Sequence, residues 1–138
     1  MAVEQTITYV GELHCELIHG PSGASVETDA PVDNAGRGQS FSPTDLVASA
    51  LASCALTTIA IKAARHGIHF ESGRARIVKE MTSSPPRSIA ALHLDVRLPG
   101  HFPDEERRQL EDFARTCPVA LSLGDSVNVV MVFTYGDV

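Results

Sequence analysis

The chain has 138 residues, of which 43% are hydrophobic and 20% charged, a make-up that fits one globular domain and excludes a disordered or fibrous protein. Its net charge of -6, with 11 scattered basic residues, excludes a nucleic-acid surface, which needs clustered Lys and Arg to displace counterions. Neither a membrane span nor a signal peptide is expected, because no apolar run approaches roughly eighteen residues and Met1-Ala2-Val3-Glu4-Gln5 lacks a basic start.

Residues 6–18 have high β-propensity and a rough alternation, with Ile7, Tyr9 and Leu13 set against Thr8 and His14. They predict one strand, closed by the turn His19-Gly20-Pro21-Ser22-Gly23 and followed by a second strand near 24–28. Residues 29–42 carry Asp, Asn, Gly and Pro without apolar periodicity and read as a surface loop, with Arg37 between two glycines. Ser42-Pro43-Thr44-Asp45 then combines an N-cap, a proline at the first helical position and an acidic residue three after the cap. A helix of about 23 residues follows, roughly 35 Å long, with Gly67 as its stop and Lys62, Arg65 and His66 near its C-terminal end. It is apolar nearly all round up to Lys62, so it must be buried on most sides.

Strands are expected over 71–81 and 89–98, the second alternating Leu92, Leu94, Val96 and Leu98 with His93, Asp95 and Arg97. A second helix starts near Pro103-Asp104-Glu105-Glu106 and reaches Thr116. Pro118 disfavours helical geometry at Cys117. Residues 126–135 alternate Val127, Val129, Met131, Phe133 and Tyr135 as a final strand. The order β–β–long α–β–β–α–β indicates an α+β fold with an antiparallel sheet against the long helix.

The three cysteines, Cys15, Cys54 and Cys117, are too few for the disulfide framework of a secreted mini-domain, which points to the reducing cytoplasm. Cys54 lies on the long helix in a stripe with Val47, Ala50, Leu51, Thr58 and Ile61, which by itself describes a packed core cysteine. Cys117 stands at a break between helical segments, with Pro118 able to start a new turn whose amides favour a thiolate. Cys15 reads as structural. The six histidines form no ligand-spaced pair, so no metal site is expected.

Ser42-Pro43-Thr44-Asp45-Leu46 leading into Ala50-Leu51-Ala52-Ser53-Cys54, with Cys117-Pro118-Val119 about sixty residues later, resembles the OsmC/Ohr family over nearly the whole chain. The resemblance is closer to the less characterised OsmC-like members than to true Ohr proteins. It implies an intertwined homodimer and a thiol peroxidase of oxidative stress defence that reduces organic hydroperoxides. Cys54 would be peroxidatic and Cys117 resolving, the disulfide would be recycled by a dithiol or a lipoylated protein, and no cofactor would be needed. Two features depart from the family's peroxidases. Where those carry a Gly-Gly-Arg turn, this chain reads Val10-Gly11-Glu12-Leu13-His14, and where they carry a Glu at the start of the helix it has Thr44. Arg37 is the candidate replacement cation. Asp45, nine residues before Cys54, is the candidate carboxylate, with completion of the Ser42 capping box as its structural alternative. The departures keep open a non-enzymatic dimer that binds a small hydrophobic ligand in the cleft beside Cys54.

Overall fold

Two residues with left-handed backbone, Glu12 at φ 53° and Leu13 at φ 62°, fold what the alternation reads as one strand into a hairpin. The computed structural model describes residues 1–138, in two units, 1–47 and 48–138. In the first, β1 (Gln5–Gly11), β2 (His14–His19) and β3 (Ser25–Asp29) form an antiparallel sheet in that order. The two positive φ values match the twist of a two-residue hairpin turn, but such turns normally advertise themselves with Asn-Gly or Asp-Gly. Glu12-Leu13 carries no such signature, so three strands stand where two were expected. A short 3-10 turn at Val32–Asn34 leads on to the long helix.

That helix, α1, spans Pro43–Arg65, and its residues from Ala48 onward belong to the second unit. After it come β4 (Arg74–Met81), β5 (Ile89–Leu98), α2 (Asp104–Arg115), α3 (Pro118–Ser122) and β6 (Asn128–Tyr135). The sheet runs β4-β5-β6, with β4 antiparallel to β5 as expected. β6, however, is parallel to β5, which corrects the all-antiparallel expectation. The reason is the connection: α2 and α3 carry the chain back across the sheet, and a crossover of that length returns a strand in the same direction.

Leu92, Leu94, Val96 and Leu98 of β5 are buried against Leu51, Ala55, Ile59 and Ala63 of α1 and Leu110 and Ala114 of α2. Alanines on the buried face of α1 let neighbouring elements approach closely. By length and composition α1 could cross a membrane, with mean hydropathy 1.7 over its most apolar window. Its place in this core accounts for that character without one.

A dithiol at the Cys-Pro turn

The end of α2 and the start of α3 together place Cys117. At the end of α2, Thr116 folds back, its N–H donating to Asp112 O at 3.1 Å and its hydroxyl to the same oxygen at 2.8 Å. Cys117 then leaves the helix at φ -66°, ψ 151°, the extended backbone that a following proline requires. Pro118 opens α3, so Cys117 sits at its N-cap, where a side-chain acceptor meets the free amides of the first turn. No side-chain cap bond forms there, but the nearby amides of Ala120 and Val119 act to lower the Cys117 thiol.

Cys117 is fully buried, and its thiol neighbours that of Cys54, which projects half-buried from the middle of α1. Burial is the main cause pushing the Cys117 thiol up from the usual 9.0. The Ala120 amide opposes it, and the hydrogen bond and charge of Cys54 add to it. Cys117 is thus held as a thiol that can donate to Cys54, and both cysteines are free. Thr58 Oγ1 stands 3.8 Å from Cys54 Sγ.

Arg37 and Asp45 have other engagements. Arg37 is ion-paired to Glu12 at 2.9 Å, and the two help to line a cleft of about 230 Å³ with Val10, Gly11, His14, Asp29 and Gln39. The Asp45 carboxylate accepts the Ser42 N–H at 2.9 Å while the Asp45 N–H donates to Ser42 Oγ at 3.1 Å, a reciprocal capping box. Along α1, Asp45 lies nine residues before Cys54, roughly 13 Å at 1.5 Å per residue. Cys15 faces Tyr9 and Thr28 across its sheet, and no group of three or more His, Cys, Asp or Glu side chains is placed to hold a metal ion.

The family described as OsmC-like protein matches residues 36–132. The chain belongs to the OsmC-like protein family. A protein of Psychrobacter arcticus 273-4, assigned to osmotic stress induction and the detoxification response, is 37% identical; its solved structure matches with TM-score 0.88 over 94% of each chain. The organic hydroperoxide resistance protein OsmC of Legionella pneumophila shares the fold at 17% identity and TM-score 0.79, over 97% of both chains. OhrB, the organic hydroperoxide resistance protein of Bacillus subtilis, does so at 16% identity and TM-score 0.72, over 97% of this chain and 98% of its own. No curated protein matches.

For this OsmC-like chain, sequence reasoning brought forward the two cysteines that the structure sets side by side. It passed over Glu12, the partner of Arg37, because that residue stands in an unsignalled turn. It also passed over Thr58, although a polar residue four after a cysteine on an apolar helical stripe is a readable signal.

Proposed function

We propose that this OsmC-like protein is a thiol peroxidase of oxidative stress defence that reduces organic hydroperoxides through a Cys54/Cys117 dithiol–disulfide cycle. The observation that carries this reading is the pair itself: two free thiols from separate elements, close enough for the charge of one to bear on the other, one half-exposed on an apolar helix and the other buried at an N-cap. The half-exposed Cys54 is the one a substrate reaches. Its thiolate attacks one peroxide oxygen, the O–O bond breaks, and the alkoxide leaves and takes up a proton to become the alcohol, leaving Cys54 as a sulfenic acid. The Cys117 thiol then attacks the Cys54 sulfur, a disulfide forms, and hydroxide leaves with the Cys117 proton as water. A dithiol or lipoylated protein supplies the two electrons that restore both thiols. The names of the Legionella and Bacillus structures, both for organic hydroperoxide resistance, support the substrate class.

The same reading makes the chain one functional OsmC-like domain, working as a cytoplasmic homodimer without a bound cofactor. Within the first unit Arg37 is engaged with Glu12, and Asp45 fixes the start of α1.

Addition of cumene hydroperoxide to the reduced protein is expected to form one intramolecular Cys54–Cys117 disulfide, seen by non-reducing peptide mapping. Cys54→Ser abolishes it, and Cys117→Ser leaves Cys54 as a trappable sulfenic acid. If both thiols stay titratable after excess peroxide, the enzyme reading fails. The reading that then stands is a non-enzymatic OsmC-like dimer that binds a small hydrophobic ligand beside Cys54.

A further inference from the structure

Adjacent threonines on α1 use their hydroxyls differently. Thr57, exposed, donates back to Ser53 O at 2.9 Å, the ordinary local bond of a helical threonine. Thr58 is 8% exposed, and its hydroxyl instead stands 3.8 Å from Cys54 Sγ. A buried hydroxyl needs a partner. Thr57 shows that the backbone route is open to a threonine on this helix, so the position of the Thr58 hydroxyl at the sulfur marks the sulfur as its partner.

The direction of that bond follows from the chemistry of the thiol. As a thiolate, sulfur has no proton to give, so the hydroxyl must donate, and a donor to a charged acceptor is held about twice as strongly as one to a neutral acceptor. The Cys117 thiol, kept protonated by its burial, is the other group that bears on this sulfur. A Cys54 thiolate is therefore met by the Thr58 hydroxyl from its own helix, in a chain that lacks the family's turn arginine.

We propose that Thr58 is a positioning residue for Cys54, its hydroxyl donating to the sulfur so that the thiolate is both favoured and fixed in direction for attack. This rests on the reading of Cys54 as the attacking thiol. It adds no chemical step: Thr58 keeps its proton throughout and acts through Cys54.

The test is the rate of Cys54 alkylation by iodoacetamide, read at the Cys54 peptide by mass spectrometry across pH, in wild type, Thr58→Val and Thr58→Ser. Valine keeps the branched shape without the hydroxyl; serine keeps the hydroxyl without the methyl. Thr58→Val should be slower by about tenfold near pH 7, the size expected of one hydrogen bond to a charged group, and should converge on wild type at strongly alkaline pH, where the thiol ionises regardless. Thr58→Ser should stay within about threefold of wild type. A Thr58→Val profile that overlays wild type, one that is slower by the same factor at every pH, or a serine variant as slow as valine overturns the proposal. Alkylation uses no peroxide, so failure to consume hydroperoxide sinks the peroxidase reading alone, and an unchanged alkylation profile sinks the Thr58 assignment alone.

Discussion

Asp45 shows how a residue that resembles part of a site can be explained by the backbone around it. A helix begins with amides that have no partner within it, and Ser42 and Asp45 answer two of them reciprocally at 2.9 and 3.1 Å. Ser42 is nearly fully buried, so an amide left open there would not be satisfied by water. Asp45→Ala should therefore cost about 1 kcal/mol of stability or somewhat more, read as a lower denaturation midpoint with unchanged slope. The initial rate of Cys54 alkylation should remain close to wild type, because the box holds the start of α1 and not the sulfur. A large loss of thiol reactivity with little loss of stability would instead place Asp45 in the chemistry.

At the scale of elements, Tyr135 ties β6 to α2. The Tyr135 hydroxyl donates to Glu111 at 2.8 Å, and the Arg107 guanidinium lies over its ring at 4.3 Å while bonding Phe102 O at 2.8 Å and Gly100 O at 2.9 Å. Burial first, and then the Glu111 carboxylate, push Tyr135 well above the usual 10.0, as burial pushes Cys117 above 9.0. Both groups therefore hold their protons in the folded chain at pH values where the unfolded chain has begun to release them. Their stabilisation is complete below about pH 9 and falls as pH rises through and beyond the ordinary values, each group contributing a slope of up to about 1.4 kcal/mol per pH unit. Urea unfolding at pH 7 and pH 10 should show this loss. Tyr135→Phe should cost about 1–2 kcal/mol at pH 7 and less at pH 10, as the wild type loses the advantage that the variant never had. A variant whose deficit is as large at pH 10 as at pH 7 would contradict it.

The same elements show what a sequence makes legible. α1 was readable at its start because Ser-Pro-Thr-Asp states the cap chemically, and β5 because alternating burial from Leu92 to Leu98 is a direct image of the pleat. The direction of β6 was not readable, since a strand alternates identically whether its neighbour runs with it or against it. The β1–β2 turn was hidden because its left-handed positions are filled by Glu12 and Leu13, whose conformations are imposed by the hairpin and not preferred by the residues. The cysteines were singled out by their joint context, whereas the Arg37–Glu12 pair depends on that same hidden turn.

For the whole molecule, the register of the first sheet bears on the proposed dimer. Ile7, Leu17 and Val26 align across the three strands, and Tyr9, Cys15 and Thr28 form the next row on the same face. The opposite face carries Thr6, Thr8, Glu16, Ser25 and Glu27, with Ile18 as its apolar exception. A three-stranded sheet with one apolar face is stable only when that face is covered, yet Ile7 is 57%, Tyr9 63% and Val26 46% exposed. A second copy of the chain is the cover that the proposed intertwined dimer supplies, and apolar area of this kind is what obligate dimers bury. Size-exclusion chromatography with light scattering should thus give twice the chain mass for wild type at micromolar concentration. Ile7→Asp and Val26→Asp, which place a charge in the covered rows, should yield monomer or unfolded chain, whereas Thr6→Lys on the polar face should remain dimeric. A wild type of single-chain mass, or an Ile7→Asp variant that stays fully dimeric, would show that this face is not where two copies meet.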